Sequence, residues 1–108
     1  MKKKIKGTNY LVDEYGNVYS PRGFKLKSRV CIGGYDRVIL FIDGKRKDRK
    51  VSRLVAEAFV PNKRNKIVFC QVAHKNGNKR ENTKWNVIWV SAEENGQLRR
   101  KFEQEVID

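Results

Sequence analysis

The chain has 108 residues, 39% hydrophobic and 34% charged, which fits one domain with a modest core and excludes a large pocket between two lobes. No apolar run approaches the roughly 20 residues of a membrane span, and the basic start "MKKKIKG" lacks the apolar segment of a secretion signal. The net charge of +13 exceeds what solubility needs and implies a polyanionic partner; nucleic acid comes before an anionic membrane, because no basic amphipathic helix with a broad apolar face is present.

The first half is punctuated by turns. "YLVDEYGNVYS" predicts strand, turn, strand around "EYGN". "FKLKSRVCI" alternates Phe24 and Leu26 with Lys25, Lys27 and Arg29, and "YDRVILFIDGKRKDRKVS" predicts a second hairpin turning at Asp43-Gly44. Residues 8–52 are therefore expected to form a small antiparallel sheet, one face apolar and the other carrying much of the positive charge. The period changes in "VSRLVAEAF", where Leu54, Val55, Ala58 and Phe59 make the stripe of a short helix that Pro61 follows.

In the second half "NKIVFCQVAH" reads as a strand ending at His74, the chain's single histidine, and "NVIWV" as another. "SAEENGQLRRKFEQEV" opens with Ser91 and Glu94 at capping-box spacing and continues with Leu98, Phe102 and Val106 four residues apart, a C-terminal helix. Cys31 and Cys70 belong to no C-x-x-C pair, which argues against zinc. They are expected to be reduced core thiols in a cytoplasmic protein. Asn82, Asn86 and Asn95 can each be plain turn or cap residues. Trp85 and Trp89 read as packing residues rather than base-stacking platforms.

Strand, loop, strand and helix can place His74 and Asn95 on opposite sides of a phosphate-sized gap. Phosphodiester hydrolysis needs a base, a cation for developing charge and basic residues to hold the backbone. Neutral histidine suits the first role, and asparagine carbonyls can ligate a hard divalent ion less strongly than carboxylates. The stretch "VAHKNGNKRENTKWNVIWVSAEEN" resembles the HNH motif of phage and group I intron homing endonucleases, matching in spacing at His74, Gly77, Asn78, Lys79, Asn82, Asn86, Trp89, Val90 and Asn95. "YLVDEYGNVYS", "GGYDRVILFIDGK" and "VSRLVAEAFVPN" resemble the strand-rich module that precedes it in that family.

The resemblance implies an α+β fold, with a small N-terminal antiparallel sheet and short helix over 1–60 as the DNA-contacting module and an HNH ββα-metal finger over 61–108. It implies a metal-dependent endonuclease that hydrolyses a phosphodiester of double-stranded DNA with a single Mg²⁺ or Mn²⁺. His74 takes the general-base position, Asn86 a structural position across the loop and Asn95 the metal-ligand position on the helix; Trp89 and Val90 are expected to pack beneath the finger. Lys25, Lys27, Arg29, Arg37, Lys45, Arg46, Lys47, Arg49, Lys75 and Lys79 are the candidate DNA contacts. One finger cuts one strand, so a monomer is expected to nick, and both strands need a homodimer or two visits. The relatives continue into further DNA-binding helices, so affinity here is expected to be dominated by phosphates.

Two positions depart from the motif. The residue before the base is normally Asp or Asn, the second protein ligand of the metal, and here it is Ala73. The Asp before the glycine is Asn76. Natural decay, deliberate substitution, or a replacement ligand such as Glu94 each account for Ala73. A non-catalytic DNA-binding protein derived from an HNH nuclease is the alternative function.

Overall fold

The computed structural model describes residues 1–107, with side chains through Phe102. A three-stranded antiparallel sheet comprises β1 (Lys2–Lys4), β2 (Leu11–Asp13) and β3 (Val18–Tyr19), in that order. A second has the order β4 (Arg29–Val30), β5 (Asp36–Ile42) and β6 (Lys45–Lys50). Helix α1 (Val51–Phe59) follows, then the hairpin of β7 (Gln71–His74) and β8 (Val87–Val90), and finally α2 (Ala92–Ile107). Mixed α+β architecture with small antiparallel sheets and two helices is the expected class.

Alternation along β5 builds the centre. Asp36, Val38 and Leu40 point inward and are buried, while Arg37 and Ile39 point the other way and are only half-buried. Val38 and Leu40 meet Val12 and Val18 from the first sheet, Val51, Leu54 and Val55 from α1, and Val87 from β8. Each such side chain contributes about 1.5–3 kcal/mol by leaving water. Helix α1 is central because Val51, Leu54 and Val55 fall on one face. Backbone bonding continues to Val60 N–H, which donates to the Ala56 carbonyl, before Pro61 stops the helix.

Several expectations need correction. Residues 8–52 form two sheets rather than one, and β1 adds a strand from the basic start. The stretch around Phe24 keeps only one bridge, Tyr19 to Lys25, and Phe24 is exposed, so its alternation does not become a regular strand. The run before Gln71 is turn rather than strand, pinned where the Asn62 amide donates to the Phe69 carbonyl. The charge does not segregate to one face. Directly paired residues share a face, so Lys45, Lys47 and Arg49 lie with Ile42, Leu40 and Val38, whereas Arg46 and Lys50 lie with Phe41 and Arg37. A consecutive basic run on an edge strand must alternate sides. Neither cysteine is a core thiol: Cys31 is half-buried and Cys70 exposed, both free. Trp85 is 53% exposed beside Tyr15 instead of packed. Val106 lies outside the described side chains. No described helix is long and apolar enough to cross a membrane.

Candidate active site

His74 is the last residue of β7, paired with Val87 of β8, and is only 6% exposed. Its Nε2 lies 2.8 Å from Asn82 Oδ1, and its ring centroid is 6.2 Å from that of Tyr35. Burial lowers its pKa from the usual 6.5; Lys79 adds to the depression, and the Asn82 bond, Asp36 and Glu81 oppose it. The imidazole is therefore neutral at pH 7, the form a base requires.

The loop after His74 is held from within. Asn86 is buried, and its Nδ2 donates to Asn76 Oδ1 at 3.0 Å and to the Glu81 carbonyl at 2.8 Å. Its own side-chain oxygen accepts from Asn76 N–H at 3.3 Å. Asn86 thus spans the loop as a cross-brace. The turn closes with Gly77 N–H donating to the His74 carbonyl. Gly77 sits at φ +76°, and a Cβ there would stand 3.0 Å from the Phe102 ring of α2. Gly77→Ala combines left-handed strain with that clash and is expected to destabilise the fold by about 1–3 kcal/mol, measured by denaturant unfolding.

Helix α2 begins with the capping box that its sequence predicts: Glu94 N–H donates to Ser91 Oγ, and Ser91 N–H donates to Glu94 Oε1, both at 3.1 Å. Glu94 also pairs with Arg64 at 3.3 Å. The Ser91 bond first, then Arg64, holds its carboxyl below the usual range. Glu94 is committed to the helix cap and is absent from the lining of the His74 cleft, so it does not replace the ligand missing at Ala73.

One turn into α2, Asn95 donates from Nδ2 to Gln71 Oε1 at 2.9 Å. A cleft of about 610 Å³ is lined by Ala73, His74, Lys79, Asn95, Arg99 and Phe102 among others. The base position, the helix asparagine and the alanine thus share one concavity. These residues do not make a protein-held divalent site. Asn95 offers one amide oxygen, Ala73 offers none, and no cluster of three His, Cys, Asp or Glu suited to a metal exists among the described residues.

Tyr35, Val72 and Asn95 also line a neighbouring groove with Arg37, Arg49, Lys50 and Arg53. The two concavities therefore adjoin at the candidate site, and the groove is net basic: these four cations face Asp48 and Glu57, with Arg53 paired to Glu57 at 3.1 Å. Of the sequence-predicted contacts, Arg37 and Arg49 lie in it. Lys79 is tethered: its Nζ donates to the Gly33 carbonyl at 2.7 Å and stands 4.7 Å over the Tyr35 ring. Lys25, Lys27, Lys45, Arg46 and Lys75 are exposed, Lys47 is half-buried, and Arg29 is exposed and pairs with Asp48 at 3.6 Å. None of these lines the His74 cleft. Lys50, Arg53, Arg99 and Tyr35 were not legible as site residues, because nothing in their local pattern tells which turn of the chain they will face. Trp89 does pack as expected, its Nε1 donating to the Val60 carbonyl at 2.8 Å, and Val90 is buried.

No protein-family model matches the chain. Over 92 residues, 82% of its length, it is 41% identical to the DNA endonuclease I-HmuI of Bacillus phage SP01. It is 43% identical over 93 residues to an uncharacterized HNH endonuclease, L247, of Acanthamoeba polyphaga mimivirus. The chain spans about half the length of the first and about a fifth of the second. In structure it superposes on the HNH homing endonuclease I-HmuI, solved in a study of DNA binding and cleavage, with a TM-score of 0.83 and 36% identity. That match covers 95% of this chain and 59% of the other. With sequence, fold and motif spacing in agreement over most of its length, the chain belongs to the HNH homing endonuclease family.

Proposed function

We propose that this chain is a DNA endonuclease unit that engages duplex DNA through the basic groove and sets His74 to take a proton from a water attacking a phosphodiester. The observation that carries this reading is the continuity of the groove holding Arg37, Arg49, Lys50 and Arg53 with the cleft holding His74 and Asn95. A backbone bound along the first delivers a phosphate to the second. Hydrolysis then requires His74 to accept the water proton as the nucleophile forms, and the basic side chains to hold the phosphate in line. A divalent ion, Mg²⁺ or Mn²⁺, would supply electrostatic stabilisation of the departing oxygen, and Asn95 is the one residue at a matched position that would ligate it. The donor set present does not fit such an ion, and this reading assigns that shortfall to Ala73 at the usual ligand position. Asn86 is assigned the role of bracing the loop that carries the base.

The same donor set favours a second reading, a DNA-binding protein of HNH ancestry without cleavage. Plasmid nicking separates the two. Supercoiled DNA is incubated with this chain and with Ala73→Asp, with Mg²⁺ and then Mn²⁺. Nicking by the Asp variant supports the endonuclease reading; duplex binding by both without nicking by either supports the second. In both readings phosphates dominate affinity, and binding should weaken at least about tenfold between roughly 50 and 200 mM salt. A flat salt response in a fluorescence-anisotropy titration counts against the basic groove as the DNA path.

A further inference from the structure

The Asn82 amide is held at both ends. Its Oδ1 faces His74 Nε2 at 2.8 Å, and its Nδ2 donates to Asp36 Oδ2 at 3.2 Å. All three side chains are buried, at 6%, 6% and 9% exposure for His74, Asn82 and Asp36. A carboxylate accepts hydrogen bonds and does not donate them, so Asp36 decides which end of the amide it receives. That turns the Asn82 carbonyl oxygen towards the imidazole. A carbonyl oxygen also only accepts, so Nε2 must carry a proton, and the lone pair of the neutral ring falls on Nδ1. Among the described residues Nδ1 has no hydrogen-bond partner. The geometry points to Asn82 and Asp36 as positioning residues that lock His74 in its Nε2–H tautomer and leave Nδ1 as its one basic atom.

The placement follows from the fold. Asp36 occupies the first inward position of β5, in register with Val38 and Leu40, where a charged group must find partners or destabilise the strand. It meets Asn82 across 46 residues of sequence. Its other oxygen has no hydrogen bond and stands 3.5 Å from Arg80 Nε. Three further contacts seat the loop of Asn82 on the N-terminal sheets. Lys79 reaches the Gly33 carbonyl, Lys84 N–H donates to the Glu14 carbonyl, and the Gly16 backbone approaches Asn82 so closely that a Cβ there would lie 2.7 Å from the Asn82 backbone oxygen. Tyr35, Lys79 and Glu81 complete the polar and charged surroundings of the imidazole. The N-terminal sheets are thus part of the base's own support as well as a surface for DNA.

The consequence for catalysis rests on the endonuclease reading; the tautomer does not. His74 is the only histidine, so long-range ¹H–¹⁵N spectra of the full chain contain one imidazole. At a pH where the ring is neutral, the expected wild-type spectrum has Nε2 protonated and Nδ1 bare. Asn82→Ala, which removes the acceptor, and Asp36→Asn, which keeps the size but frees the amide to reverse, should each move both nitrogen shifts towards the averaged values of a mixed tautomer. Wild-type protonation on Nδ1 overturns the proposal. So do unchanged shifts in Asp36→Asn or Asn82→Ala with native circular dichroism; because Asp36→Asn conserves volume, it decides if Asn82→Ala does not fold. In an Ala73→Asp background, Asn82→Ala should lower the nicking kcat roughly a hundredfold with DNA affinity unchanged. If Ala73→Asp itself fails to nick, the endonuclease reading fails, and the ring spectrum still decides the tautomer.

Discussion

Ala73→Asp is expected to raise metal-dependent nicking by about a hundredfold or more over the chain as it stands. Ala73 lies in β7 opposite Ile88, buried at 6% exposure, and lines the same cleft as His74 and Asn95. A carboxylate there adds an anionic oxygen donor to a site whose one matched donor is the Asn95 amide. Hard divalent ions prefer carboxylate oxygen, and their stabilisation of a phosphoryl transition state is worth several kcal/mol. Each 1.36 kcal/mol is a factor of ten in rate. Ala73 lines the cleft, so a carboxylate there stands at the wall shared with His74 and Asn95. The control is Ala73→Asn, whose neutral amide should restore less than Asp. Initial rates of supercoiled-to-nicked conversion against Mn²⁺ concentration measure it; equal rates for Ala73, Asn and Asp would remove the missing ligand as the explanation for a weak enzyme.

In that Ala73→Asp background, His74→Ala should reduce nicking by roughly 10²–10⁴-fold, the usual worth of a positioned general base. DNA affinity should hold, because His74 is buried and the charge proposed to meet phosphate lies along Arg37, Arg49, Lys50 and Arg53. The pH profile supplies the sign. Burial pushes the His74 pKa below its usual 6.5, so the neutral form predominates at pH 7 and is lost as pH falls through the lowered value. Nicking should therefore drop on the acid side of neutrality, and the drop should be missing from the residual activity of His74→Ala. A rate that falls only with affinity would assign His74 to binding instead of proton transfer.

Local pattern was sufficient wherever structure depends on neighbours in sequence. The stripe in "VSRLVAEAF" becomes α1, Ser91 and Glu94 cap α2 as their spacing requires, and Asp43, at φ +53°, turns the hairpin between β5 and β6. The spacing from His74 to Asn95 was legible for the same reason: a strand, a braced loop and a helix hold a fixed arrangement once each forms. Local pattern failed where a residue's fate depends on what packs against it. The alternation at Phe24–Ile32 promised a longer strand, but only Arg29–Val30 of it pairs, with β5, and of the two cysteines that looked apolar by context Cys31 is half-buried and Cys70 exposed. The basic run at Lys45–Lys50 advertised charge without revealing that strand alternation divides it between two faces.

The largest gap concerns Asp36. In sequence it is one carboxylate in "GGYDRVIL", with nothing to separate it from a solvated side chain. Only tertiary packing turns the start of β5 inward and seats the finger loop on it, so that Asp36 orients Asn82 and Asn82 faces the imidazole. Sequence by itself singled out the residues proposed to carry the chemistry, because the motif is short-range. The state in which His74 holds its proton was decided by the docking of two distant segments, because a hydrogen bond over 46 residues exists only once the core between them has formed.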